Sequence, residues 1–292
     1  MKELLQPLTL LHDDDDIEGT DLPEPLMTCY GGPLRLSGRR LVTNFVATLD
    51  GVVAMPTVPE SNRVISGDSE GDRFVMGLLR AYADVVLVGS GTLHGSPRTL
   101  WTAEDAYPVG EPAYADWRKD RGLPPAPLLA VMTGSGEIDV DHPALVAGAL
   151  VLTTAAGAKA LRSRLPADSS LIVLPGTTAV DPRAAVAALW HLGHETILSE
   201  AGPRVFGSLL AARLVDDVFL TQSPLFAGRA SGAARLGLVE DTTLLPDLRV
   251  QARLGSLRRH SQHLFLQYRL TAPEHPRNDI VAVPVARRAS HV

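Results

Sequence analysis

The sequence predicts an α/β protein built on a mainly parallel central sheet, flanked by helices and finished by a C-terminal antiparallel hairpin. Three observations carry this. Short apolar runs alternate with helical patterns between residues 40 and 222. Runs such as Val85-Val86-Leu87-Val88 are apolar throughout, as in strands covered on both faces. The last two apolar runs follow one another across a polar turn with no helix between them, which is hairpin order.

The elements follow in order. Arg40 to Thr48 is rich in Val, Phe and Leu and reads as a buried strand. Asp72 to Tyr82 places Phe74, Val75, Leu78, Leu79 and Tyr82 on one helical face. Val85 to Val88, Leu128 to Met132 and Leu150 to Thr153 are strands. Ala155 to Leu165 is a helix capped by Thr153 or Thr154. Leu171 to Leu174 is a strand. Asp181-Pro182 opens a helix, with a capping carboxylate and proline in the first turn, and Gly193 closes it. Thr196 to Leu198 is a strand, and Val205, Phe206, Leu209, Leu210 and Leu214 face one way on the helix after it. Val218 to Gln222 is a strand, and 248–254 with 264–268 form the antiparallel pair. Residues 1–38 read as a peripheral extension in which Pro23, Pro25, Gly31, Gly32 and Pro33 break any helix. The acidic run Asp13 to Asp16 reads as solvated surface, and the leucines between Leu4 and Leu11 as a stretch able to pack on a neighbour. Residues 39–271 form one domain, and 272–292, with three prolines and Arg287-Arg288, a mobile tail.

Composition narrows the class. The chain has 292 residues, 45% hydrophobic and 21% charged, with a net charge of −6 that argues against a nucleic-acid binder. Cys29 is the single cysteine, which excludes an internal disulfide and a thiolate metal cluster and fits a reducing, cytoplasmic compartment. No basic segment followed by an apolar stretch opens the chain, which predicts no signal peptide, and no run approaches the roughly 20 apolar residues of a membrane span.

Four segments carry candidate chemistry. Gly89-Ser90-Gly91-Thr92 and Ser199-Glu200-Ala201-Gly202-Pro203-Arg204 each follow a strand with a small-residue turn whose backbone N–H groups suit phosphate. Two such turns in one domain suggest a dinucleotide across the ends of a sheet, hence an oxidoreductase. Glu200 can bind an amide, and Arg204 can offset phosphate charge or lie on the helix surface. Asp50, ending the strand Ala47-Thr48-Leu49-Asp50-Gly51, can hold a ring N–H or simply form an Asp-Gly turn. Ser66, Gly67 and Arg73 can contact an anion or serve as a cap and a surface charge. His191 and His194 have no carboxylate at a helical spacing to complete a metal site, and His260 and His263 fall in or near a hairpin turn, so none of the four reads as a ligand.

In order and spacing, Ala47–Gly51, Ile65–Gly67, Asp72–Thr92 and Ile197–Pro224 resemble the reductase domain of bacterial riboflavin-biosynthesis deaminase-reductases, a pyrimidine reductase family. The resemblance spans about 40–270. It implies a dihydrofolate reductase-like fold, NADPH as hydride donor, and reduction of the ribosyl group of 5-amino-6-(5-phosphoribosylamino)uracil to ribityl. It implies Asp50 as the catalytic group, with Asn44, Thr48, Arg73 and Glu200 at the substrate. It implies Ser66, Gly67, Gly89, Ser90, Gly91, Thr92, Thr133, Ser135, Ala201, Gly202, Pro203, Arg204 and Val205 along the cofactor, and a homodimer. The chain departs from the family pattern in three places. Ala201 stands for a glycine, Asn44 for a lysine of many bifunctional enzymes, and 94–98 match an Asp-Pro loop loosely. The deaminase part and its zinc motif are absent from this sequence. A pterin reductase and a non-catalytic NADP-binding protein are the alternative readings.

Overall fold

The computed structural model describes residues 4–271; the tail expected at 272–292 lies outside the described residues. The strands are β1 (Thr9–Asp13), β2 (Arg40–Ala47), β3 (Val85–Gly89), β4 (Leu128–Thr133), β5 (Ala149–Thr153), β6 (Ser170–Val173), β7 (Thr196–Ser199), β8 (Asp217–Gln222), β9 (Ala252–His260) and β10 (His263–Leu270). The helices are α1 (Glu24–Tyr30), α2 (Ser61–Ser66), α3 (Glu70–Tyr82), α4 (Ser90–Gly95), α5 (Ala103–Ala106), α6 (Glu111–Asp120), α7 (Pro143–Val146), α8 (Ala155–Leu161), α9 (Pro182–His191) and α10 (Pro203–Ala211).

All strands share one 10-stranded sheet in the order β1-β9-β10-β8-β2-β7-β3-β4-β5-β6. Every pair from β8 to β6 is parallel, and β1, β9, β10 and β8 pair antiparallel. This is the expected fold class. One face of the sheet packs on α1, α3 and α6 through Leu26, Phe74, Leu78 and Trp117. The other packs on α9 and α10 through Val186, Leu189, Phe206 and Leu209. β3 and β5 are buried along their whole length, which accounts for their unbroken apolar sequence.

Local signals explain the caps. The Thr154 side chain accepts from the Gly157 N–H and starts α8, and Asp181 accepts from the Arg183 N–H at α9. α3 starts at Ser69, whose hydroxyl accepts from the Asp72 N–H. The end of α3 is held by Arg118, whose Nη1 donates to the carbonyls of Arg80, Ala81 and Ala83 at 3.1, 3.0 and 2.8 Å. Those carbonyls would otherwise be orphans of the last turn.

Two stretches differ from expectation. The prolines of 23–33 do not prevent a helix: Pro25 sits in the first turn of α1, where no N–H is required, and Gly31 (φ 77°) closes it. Strand β9 begins at Ala252 rather than residue 248 and runs through Arg258 and Arg259. Arg258 is buried because its guanidinium stacks 3.8 Å over Tyr30 and its Nε donates to the Tyr30 carbonyl at 2.8 Å. The N-terminal segment lies at the sheet edge, yet Leu5, Leu8, Leu26, Leu34 and Leu36 enter this chain's own core. In the acidic run, Asp13 bonds Arg35 and Asp14 pairs with Arg253 at 2.9 Å.

Candidate active site

A cavity of about 1310 Å³ opens at the carboxyl ends of β2, β7, β3 and β4. Ligands of open parallel sheets bind in this position. Of the residues expected at a site, Asn44, Ser66, Arg73, Gly89, Ser90, Gly91, Thr92, Thr133, Glu200, Ala201, Gly202, Pro203, Arg204 and Val205 line it. Thr48, Asp50, Gly67 and Ser135 are not among the lining residues.

The two small-residue turns meet because β7 pairs directly with β3. A Cβ on Gly202 would lie 3.6 Å from Thr92 Oγ1, and one on Gly89 would lie 3.2 Å from Val205 Cγ2. Gly91 faces open space. α10 begins at Gly202 with no side-chain cap, so its first backbone N–H groups stay available to an anion. Ala201 is buried and does not adopt a positive φ, so its methyl fits where the family pattern has glycine. Arg204 pairs at 2.8 Å with Asp241 on the β8–β9 connection. At the other end of the cavity Gly134 is required: a Cβ there would come within 2.0 Å of the Thr178 carbonyl. Thr133 Oγ1 and Ser135 Oγ accept from the N–H groups of Gly136 and Glu137 and shape this turn.

Asp50 is engaged in local bonds. Its carboxylate accepts from the Thr48 hydroxyl at 2.6 Å and from the N–H groups of Ala227 and Gly228 at 3.0 and 2.8 Å. The Thr48 bond, followed by the Ala227 and Gly228 bonds, pulls its pKa down to about 2. The strand-end acid therefore ties β2 to the long connection between β8 and β9. That connection also bridges back through Ala54 and Leu236, and Leu236 lines the cavity. Ser66 and Gly67 end α2: the Ser66 hydroxyl donates to the Arg63 carbonyl, and Gly67 adopts the left-handed conformation (φ 61°).

A second acid was not singled out from the sequence. Asp72, third residue of α3, lines the cavity and is 4% exposed. The Thr221 hydroxyl on β8 bonds its carboxyl. Burial, the largest influence, together with the charge of Glu200, overrides Thr221 and Arg73 and raises its pKa to about 6. Glu200 is itself occupied: Arg80 Nε and Nη2 grip its two oxygens at 2.9 and 2.7 Å in a buried fork. The wall arginines Arg63, Arg80, Arg98 and Arg204 are all in ion pairs. Among the described residues, Arg73 has no carboxylate within bridging distance. A signal for Asp72 does exist in the sequence. It heads the stripe continued by Val75, Leu79 and Tyr82, so an acid starts the helix on its buried face.

Comparison with known proteins agrees with this geometry. Residues 39–262 match the family model described as RibD C-terminal domain. A pyrimidine reductase-like protein from Corynebacterium diphtheriae superposes with a TM-score of 0.58 at 18% identity, over 80% of this chain and 93% of that one. RibD of Acinetobacter baumannii gives 0.60 at 14% identity, over 85% of this chain and 60% of that one. The riboflavin biosynthesis reductase Rib7 of Saccharomyces cerevisiae gives 0.55 at 15% identity, over 80% and 90%. At these identities the likeness is one of fold. No curated protein matches the chain. Among the described residues, no helix is long and apolar enough to cross a membrane.

Proposed function

The chain belongs to the family of the RibD C-terminal domain, and on that premise we propose that it is an NADPH-dependent reductase of the riboflavin-pathway type. Its substrate is a phosphoribosylamino-pyrimidine of the 5-amino-6-(5-phosphoribosylamino)uracil kind, whose ribosyl group becomes ribityl. The observation that carries this reading is the cavity itself, where two glycine-bearing turns on adjacent strands meet and whose wall also holds Arg73, which has no carboxylate partner among the described residues.

The residues present fit the cofactor. Gly91 leaves room for close approach, and the uncapped start of α10 offers N–H groups to a phosphate. Gly89 to Thr92 and Ala201 to Val205 would hold the pyrophosphate and nicotinamide portions, Ser66 the nicotinamide ribose, and Thr133 the adenosine side. NADPH supplies the hydride. The chain binds and orients. Arg73 receives the substrate's anionic group, Asn44 lines the substrate side, and Glu200 keeps Arg80 fixed beneath it. Asp50 and Thr48 act as positioning residues through the β8–β9 connection. Gly67 and Ser135 shape turns next to the site.

A second reading, a dihydropterin reductase on the same fold, draws on the neutral Asn44, since a pterin ring brings no phosphate to that wall. Homodimerisation and a cytoplasmic location complete the proposal, as does a unit of 39–271 whose core and sheet edge are completed by leucines and a strand of 1–38. The test is oxidation of NADPH, followed by loss of its absorbance, with the phosphoribosylamino-pyrimidine and dihydrofolate in parallel. Turnover of the pyrimidine is expected. A chain that fails to bind NADPH at micromolar concentration overturns the proposal.

A further inference from the structure

The cations of the cavity wall are mostly spent on acids close by. Arg63 pairs with Asp68 at 3.0 Å and with Glu60 at 3.7 Å, and Arg98 pairs with Glu60 at 3.5 Å. Arg73, half-buried on α3, has no such partner among the described residues, although an acid is within reach. Glu70 stands three positions before it on the same helix, a spacing at which side chains meet and opposite charges pair. Both residues line the cavity. Glu70 is engaged elsewhere: Tyr107, the residue after α5, donates its hydroxyl proton to Glu70 Oε1 at 3.1 Å.

Three features fix that donor. The Tyr107 ring is buried and meets Phe74, one turn beyond Glu70 on α3, edge-on at 5.8 Å. The N–H of Leu5, in the N-terminal segment, donates to Tyr107 Oη at 3.1 Å. A phenol oxygen that accepts an N–H still has one proton to give, and Glu70 takes it. Burial, followed by the Glu70 charge, pushes the Tyr107 hydroxyl up to about 12, so it keeps this proton at neutral pH. A guanidinium held by a carboxylate of its own helix must leave that pair before it can grip a phosphate. We propose that Tyr107 is a positioning residue of the substrate site, which holds Glu70 away from Arg73 and so leaves the guanidinium open to the substrate's phosphate. The role rests on the reading of Arg73 as receiver of the substrate anion and deepens it, because Leu5 makes the N-terminal segment part of phosphate selection.

The experiment measures KM and kcat for the phosphoribosylamino-pyrimidine and for its counterpart lacking the phosphate. The proteins are the wild type, Tyr107→Phe, Glu70→Gln and the double variant. A parallel titration follows binding of ribose 5-phosphate and of ribose to the complex with NADP⁺. Tyr107→Phe keeps the ring against Phe74 and removes only the hydroxyl, so Glu70 is released to Arg73. Its KM for the phosphorylated substrate is expected to rise about fivefold, the scale of a partly exposed ion pair that must first be broken, with a much smaller change in kcat. The counterpart without phosphate should show no such rise. Glu70→Gln in the same chain removes the competing charge and should restore the KM, whereas Glu70→Gln alone should stay near the wild type. A rise of equal size without the phosphate, or one that persists in the double variant, overturns the role of Tyr107 and leaves the reductase reading intact. A severalfold fall in KM for Glu70→Gln alone overturns it likewise, because Glu70 would then already hold Arg73. Ribose 5-phosphate binding that weakens in Tyr107→Phe and recovers in the double variant, with no turnover of either compound, keeps the role and overturns the reductase reading. Absence of both binding and turnover overturns the two together.

Discussion

Replacing Asp72 by Asn should stabilise the protein, and by an amount that depends on pH. The Asp72 carboxyl ordinarily titrates at 3.8 and is raised to about 6 in the folded chain, chiefly by burial. The groups facing it are Glu200 at the end of β7, Thr221 on β8 and Arg73 on its own helix. A carboxyl raised on folding binds its proton more tightly when folded, so its ionisation opposes folding. That cost is absent below about pH 4, grows between about pH 4 and 6, and is complete above about pH 6. The displacement corresponds to about 3 kcal/mol at neutral pH. Asparagine is uncharged throughout and keeps an oxygen to accept from Thr221. Urea unfolding of both proteins across this range isolates the effect, since the carboxyls that do not act on Asp72 titrate alike in both and cancel in the difference, and Glu200, the one acid coupled to it, stays paired with Arg80. The variant should match the wild type near pH 4 and exceed it by about 3 kcal/mol at neutral pH, with unchanged denaturant slope. A difference that stays constant with pH, or a wild type that is the more stable at neutral pH, refutes the reasoning.

Three other perturbations test neighbouring features. Asp50→Ala removes the acceptor for the Ala227 and Gly228 N–H groups, so limited proteolysis should cut 223–236 faster than in the wild type; equal rates would deny Asp50 its anchoring role. Arg80→Met leaves Glu200 buried without its fork and should cost about 3–5 kcal/mol in urea unfolding, whereas Arg80→Met with Glu200→Gln should recover part of the loss. Deleting 1–38 strips Leu5, Leu8, Leu26, Leu34 and Leu36 from the core and should yield a chain without cooperative unfolding; a normal transition would make the segment dispensable.

The parallel strands were legible because burial on both faces leaves nothing polar in them, as at Val85 to Val88. The caps at Thr154 and Asp181 were legible because capping chemistry is local. β9 was blurred because Ser256 and Arg258 are buried and satisfied by tertiary partners, Ser256 by Gln267 across the hairpin and Arg258 by Tyr30, 228 residues away. α1 was obscured by prolines whose effect depends on whether they fall in a first turn. At the site, the cofactor-facing turns could be read from glycine spacing. Asp50 reads from the sequence as a strand-end acid, and its bonds to Ala227 and Gly228 were not legible because these partners lie 177 and 178 residues away. Asp72 looked like an ordinary acid of a helix start, and only the closing of β8 and β7 around it makes it special.

The strand order also sets a timetable for synthesis. β3, β4, β5 and β6 are neighbours in sequence and in space, so this half of the sheet can pair as it emerges. β2 is flanked by β7 and β8, and β1 by β9, so both early strands have no partner until the last third of the chain exists. A nascent chain ending before residue 196 therefore carries β2, with its run of buried residues, as an open edge on both sides. Such an edge invites pairing with other chains. The ribosome thus exposes this protein to aggregation until β7 slots between β2 and β3, and that same insertion first brings Glu200 and its turn to the cavity.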